Sequence, residues 1–248
     1  MKRTIGLLLF IVAGISILNL SAQEIKTLQS PDGNLSISFH LSKNGELIYS
    51  FSAYKQSVIT DSPKGYSAGN SVLVPCLGWV LESSEQHSVI SVWKPVWGKR
   101  SVVPDEYNEL FLNLSGPDTS KLQYLRIEVR AYDDGMAFRY SVSSEEKKSL
   151  IATKELTSYH FADDYTAWFY NGENANIGPE KLSESDGKRL PVMTVKASDK
   201  LYLAIHEADL VTGDPLVLQS TKGSTIFSIV SDPRKLEANF QSAWRVIL

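Results

Sequence analysis

Cysteine is almost missing from this chain: Cys76 is the only one in 248 residues. An internal disulfide is therefore impossible, and a zinc site built on paired cysteines is excluded as well. The apolar neighbours of Cys76 in "VLVPCLGW" predict a buried, inert thiol. Histidine is scarce, with His40, His87, His160 and His206 the only four and no HExxH among them. There is no GxGxxG, no Walker pattern and no G-x-S-x-G elbow. These absences remove the phosphate loops, the zinc hydrolases and the serine-hydrolase elbow. Basic runs are missing too, the longest being "GKR" and the mixed "EEKK". With a net charge of −3 and a pI of about 5.9, the chain is not a general nucleic-acid binder.

One long apolar run is present, at the N-terminus. "MKR" supplies a charged start, "TIGLLLFIVAGISIL" an apolar centre and "NLSAQE" small residues around a cleavage point after Ala22. Residues 1–22 thus read as a secretory signal peptide, and residues 23–248 as the mature domain. Export to a periplasm or the exterior is the expected location, with no membrane partner once the leader is removed.

The rest of the sequence alternates at period two. "LSISFHL" puts Leu35, Ile37, Phe39 and Leu41 on one face, and "LIYSFSA" does the same with Leu47, Tyr49, Phe51 and Ala53. Turn residues separate such runs in "SPDGN", "KNGE" and "SPKG". "LRIEVRAYDDGMAFRYSV" reads as a hairpin with Leu125, Ile127, Val129 and Ala131 facing one way and "DDG" at the turn. Further strands are expected in "LTSYHF", "TAWFY", "PVMTV", "LYLAIHE", "PLVLQ" and "STIFSIV". Nothing makes a three-turn amphipathic helix; "SSEEKKSLIATKEL" comes nearest, with poor apolar spacing. The fold class is all-β, one domain of a dozen or more strands in a closed or two-sheet architecture that hides its edges. The apolar ending "ANFQSAWRVIL" is either docked in a sheet or the point from which a longer chain continues, and the second is the favoured expectation.

Three places could carry chemistry. "WFYNGENANIGPE" gathers Asn171, Glu173, Asn174, Asn176 and Glu180 after an aromatic strand, an oxygen-rich loop of the kind calcium favours, although its spacing is not that of an EF-hand and solvated turns share the composition. In "LYLAIHEADL", Glu207 shares the face of Leu203 and Ile205, so it needs a partner or a metal unless the strand has already ended. In "VWKPVWGKR", strand geometry places Trp93 and Trp97 on one face around Pro95, which confines the segment to an edge or bulge. Two such rings could stack on a sugar, but a place in the core is the commoner fate of tryptophan in a β protein.

Taken together and in order, "SPDGNLSISF", "WKPVWGKRSVVPDEYNEL", "EVRAYDDGMAFRY", "AIHEADL" and "FQSAWRVI" resemble the N-terminal β-domain of glycoside hydrolase family 97, a family of secreted α-glucosidases and α-galactosidases. The resemblance implies a β-supersandwich related to the galactose mutarotase-like carbohydrate-binding fold. It implies a (β/α)8 catalytic barrel as partner, an α-linked oligosaccharide as the substrate of the whole enzyme, and no catalytic residue in this domain. It also implies a calcium ion, held only with the barrel present, to which this domain lends an oxygen ligand. Glu173, Glu180 and Glu207 are the candidates, with Asn171 possible. The departure is that no barrel sequence follows "WRVI", which leaves the accessory half of such an enzyme. Two rivals stand beside this reading. One is a stand-alone sugar-binding module using Trp93, Trp97 or Trp168. The other is an epimerase-like enzyme pairing His206 or His160 with a glutamate.

Overall fold

A computed structural model describes residues 26–68, 77–116, 124–143, 150–172, 176–232, 234–236 and 239–248. The signal-peptide reading, Cys76 and Glu173 lie outside them. The chain opens with a four-stranded meander of β1 (Lys26–Gln29), β2 (Leu35–Leu41), β3 (Leu47–Ala53) and β4 (Gln56–Pro63). β5 (Tyr66–Ala68) follows, then the long pair β6 (Val80–Trp93) and β7 (Val103–Ser115), and the hairpin β8 (Tyr124–Tyr132) and β9 (Gly135–Ser143). Next come β10 (Leu150–Glu155), β11 (Ser158–His160), β12 (Thr166–Tyr170), β13 (Asn176–Lys181), β14 (Gly187–Lys196) and β15 (Tyr202–Ala208). The last strands are β16 (Leu218–Ser220), β17 (Ile226–Ile229), β18 (Arg234–Leu236), β19 (Asn239–Gln241) and β20 (Trp244–Ile247). Among the described residues the only helical element is a single 3-10 turn, Leu182–Glu184. The segment nearest to a helix in sequence contributes strand β10 instead.

The strands assemble into the meander, a small sheet in the order β18-β10-β5, and a large sheet in the order β11-β17-β16-β14-β15-β20-β9-β8-β7-β6, to which β12, β13 and β19 attach. The fold is all-β, as the alternation required. β2 buries Leu35, Ile37 and Phe39, and β8 buries Leu125, Ile127, Val129 and Ala131. These two faces meet in one core, where Tyr49 of β3 lies 5.5 Å from Phe138 of β9 and its hydroxyl donates to the Ser158 carbonyl at 2.8 Å. Each large apolar side chain so covered contributes roughly 1.5–3 kcal/mol, and the aromatic contacts add to that.

The C-terminal segment is docked in the sheet as strand β20. It pairs with β15 on one side and β9 on the other, and Ile247 is fully buried. The apolar ending is an inner strand of the sheet, covered by the domain's own core.

Candidate functional site

Glu207 and Arg245 come from two separate sequence motifs, and the sheet sets them opposite one another in the β15–β20 register. Strand β15 runs on to Ala208, so Glu207 is still within it and its carboxylate is largely covered. It accepts from Arg245 Nη1 at 3.1 Å and from the backbone N–H of Leu216 at 2.8 Å. Arg245 is fully buried and also donates to Glu155, through Nε at 3.1 Å and Nη2 at 2.5 Å, and to the Asp214 carbonyl at 2.9 Å. Glu155 in turn accepts from the Thr157 hydroxyl at 2.8 Å, and Thr157 bonds the hydroxyl of Tyr140 at 2.7 Å. Burial acts to lower the Arg245 pKa, but the Glu155 carboxylate overcomes it and the net direction is upward. The guanidinium therefore stays charged. Glu207 finds the partner its apolar face demanded, and that partner is an arginine.

Glu180 is placed differently. It stands on β13 opposite Ala167 of β12, close to the half-buried Trp168. Gly178 permits the tight approach of the two strands, since a Cβ there would meet the Ala167 carbonyl oxygen at 2.5 Å and the Trp168 Cα at 3.0 Å, and its φ is +111°. Arg189 Nη2 approaches Glu180 Oε1 only to 3.7 Å, beyond hydrogen-bond length, and both Glu180 Oε1 and Arg189 Nε are buried without a hydrogen-bond partner. This buried carboxylate oxygen thus has a guanidinium nearby but lacks a hydrogen-bond donor. Asn171 sits exposed in the turn after β12. No group of three or more His, Cys, Asp or Glu side chains suited to a metal exists among the described residues.

The tryptophans also need correction. Trp93 ends β6 with 53% of its surface exposed, and Trp97 lies beyond the strand with 88% exposed. Neither is in the core, because β6 is the outermost strand of its sheet and has no layer over it. They do not share a strand face, since the extended geometry stops before Pro95. Trp168 belongs to β12, seven strands away from β6 in the order of the sheet.

Neither histidine of the epimerase reading has a glutamate within bonding reach among the described hydrogen bonds and ion pairs. His160 Nε2 shares a hydrogen bond with Ser158 at 3.1 Å, and burial lowers its pKa. His206 Nδ1 is buried without a partner. Sequence reasoning did not single out a groove of about 520 Å³ lined by Thr27, Gln29, Ser30, Asp32, Gln86 and Asn108. Its one carboxylate, Asp32, is already held by Ser30 and Asn34, and those bonds lower its pKa. Its other polar residues are scattered over three separate stretches of sequence, which left no local signal.

Comparison with known proteins follows the same lines. Residues 28–248 match the family described as Glycosyl-hydrolase 97 N-terminal. A retaining alpha-galactosidase of Bacteroides thetaiotaomicron is 26% identical over 254 aligned positions, which take in 94% of this chain and 36% of that enzyme. A glycoside hydrolase family 97 enzyme of Pseudoalteromonas sp. strain K8, solved with panose and also with acarbose, superposes with a TM-score of 0.77 at 24% identity over 90% of this chain and 35% of the other. A β-arabinopyranosidase superposes at 0.72 with 14% identity, over 90% of this chain and 39% of its own. The two solved structures establish a shared fold. This chain spans little more than a third of each relative's length. By the family match across nearly its whole described length, the chain belongs to the N-terminal domain family of glycoside hydrolase family 97.

Proposed function

We propose that this domain is the exported, non-catalytic accessory part of a family 97 α-glycosidase, helping to wall the pocket of a (β/α)8 catalytic barrel that acts on an α-linked oligosaccharide. The observation that carries the reading is the family match over residues 28–248 in a chain that spans about a third of full-length relatives. The site chemistry supports it. The glutamate–histidine contact of Glu85 and His87 on β6, at 3.7 Å, is more than half exposed to water, and the carboxylates of Glu155 and Glu207 are both occupied by Arg245. Assay of nitrophenyl α-glucoside and α-galactoside with the purified chain should give only background hydrolysis. Turnover that survives repurification and scales with protein would sink the proposal.

Calcium is part of the same reading. Of the candidate ligands, Glu207 is engaged by Arg245 and Leu216, whereas Glu180 keeps one buried oxygen without a donor. Between these two, Glu180 is the better prepared to contribute a hard oxygen to an ion whose remaining ligands belong to the barrel. Titration of the chain alone with calcium should show no binding tighter than about millimolar, the weak end of the range for sites poor in ligands. The exposure of Trp93 and Trp97 favours a second reading, a sugar-binding module that stacks its ligand on these rings. Tryptophan fluorescence across a sugar panel separates the two, with a flat response expected for the accessory domain.

A further inference from the structure

Strands β6 and β7 are longer than the body that supports them. β8 pairs with β7 only from Asn108 to Ser115. Beyond that point Val89–Trp93 pair with Val103–Tyr107 and with no other strand. The overhang is five residue pairs, or roughly 17 Å, before the connecting segment 94–102 begins. Its base is braced on the sheet face turned away from the core, where Tyr107 lies 5.0 Å from Tyr132 and under the Arg130 guanidinium at 4.7 Å, and the Tyr132 hydroxyl donates to Asp105 at 3.3 Å. Past the base it has no such support.

The composition of this arm is unlike that of an ordinary solvated hairpin. Ile90 and Val92 point to one face at 80% and 67% exposure, and Trp93 points to the other at 53%. Val96 and Trp97 at the tip are almost wholly in water. A two-stranded ribbon is marginal in water by itself, and apolar residues on both of its faces have nothing in this domain to cover them. The outer edge of β6 offers unpaired backbone groups along fourteen residues. Lys94, Lys99 and Arg100 are exposed at the tip, and no carboxylate occurs between Glu85 and Asp105.

We infer that the β6–β7 arm is the element by which this domain grips the catalytic barrel of a family 97 enzyme. The arm enters a groove that covers both of its faces, with Trp93 and Trp97 as anchors and acidic residues of the barrel around the cationic tip. The inference rests on the accessory-domain reading and adds the surface through which it acts. Three observations converge on the barrel as occupant. The relatives carry almost twice this chain's length again in further sequence. Apolar residues on both faces call for a clasp and not a flat contact. The unrelieved positive tip matches an enzyme type whose working groups are carboxylates. Large aromatics at the centre of such a contact carry most of its energy.

The test uses a chimaera in which this chain replaces the N-terminal region of the Bacteroides retaining alpha-galactosidase. Amide hydrogen exchange is compared between the chimaera and this chain alone. Amides of residues 88–107 are expected to exchange at least about tenfold more slowly in the chimaera, as the contact covers them. The double substitution Trp93→Ser with Trp97→Ser should abolish that gain and leave the melting temperature of the chain alone unchanged. Protection that falls on another face while the arm exchanges as before overturns the arm and leaves the accessory reading standing. A chimaera with no newly protected surface overturns both.

Discussion

Replacing Lys64 with methionine should make this protein more stable and should change how its stability depends on pH. Lys64 lies in the turn between β4 and β5 and is only 4% exposed. Its Nζ sits 3.2 Å from the centre of the Phe138 ring, with Phe39, Tyr49 and Tyr140 at 4.5, 4.7 and 5.6 Å. No hydrogen bond reaches it. Burial pushes the Lys64 pKa well below its ordinary value, and the more distant Glu155 opposes that shift without cancelling it. An amine buried without partners costs about 1–3 kcal/mol. Methionine keeps the length and the ring contacts without the amine, so Lys64→Met should gain about that much at neutral pH. The pH dependence follows from where the proton resides. In the unfolded chain the lysine titrates near a pKa of roughly 10.4, and in the folded protein it has already lost its proton well below that. Between the two values the unfolded state binds the extra proton. Folding stability in that window therefore rises with pH, by up to about 1.4 kcal/mol per unit, and falls as the pH drops toward the folded pKa. The methionine variant lacks this contribution. Urea unfolding of both proteins from pH 7 to pH 10 should show the variant's advantage shrinking as pH increases. A constant gap across that range would refute the argument. So would a variant less stable at every pH, because the rings would then be holding a charged ammonium at a net gain.

Four further substitutions can be checked. Arg245→Met strands the fully buried Glu155 and should cost about 3–5 kcal/mol in urea unfolding. Gly178→Ala forces a Cβ to within 2.5 Å of the Ala167 carbonyl at a φ of +111°, and should lower stability by about 2 kcal/mol or more in thermal unfolding. Glu180→Gln removes a carboxylate with an unbonded oxygen, so it should shift the stability of the isolated chain by less than about 1 kcal/mol. In the galactosidase chimaera the same change should weaken calcium binding about tenfold or more, read by titration calorimetry. Trp97→Ser alone, at a fully wetted position, should move the unfolding free energy by no more than about 0.5 kcal/mol.

The alternating strands were readable because each needs only its own residues to show which side is buried. Leu35 to Leu41 and Leu47 to Ala53 are strands β2 and β3 with the same limits the alternation gave. The demand that Glu207 find a partner was also local, since it follows from sharing a face with Leu203 and Ile205. The identity of that partner was not, because Arg245 is 38 residues away. A sign of it was available all the same: an arginine inside the apolar run "AWRVI" implies a buried acid somewhere. Lys64 offered no such sign. "SPKG" is an ordinary turn by composition, and only the packing of four rings from β2, β3 and β9 turns its lysine inward. The exposure of Trp93 and Trp97 stayed open because alternation does not say whether a strand lies inside its sheet or at the rim, although Pro95 pointed to the edge position that β6 takes.

Strand β20, the last in chain order, occupies the middle of the large sheet between β9 and β15. During synthesis those two neighbours are made long before the strand that joins them. Until residues 244–247 emerge, both must wait with open edges, and Glu155 and Glu207 wait without their cation. The sheet closes late and all at once, through pairings distant in sequence, which is the slow kind of folding step. A chain that lacks residues 244–247, or has not yet docked them, would therefore hold two halves of a sheet with sticky borders and be prone to aggregate.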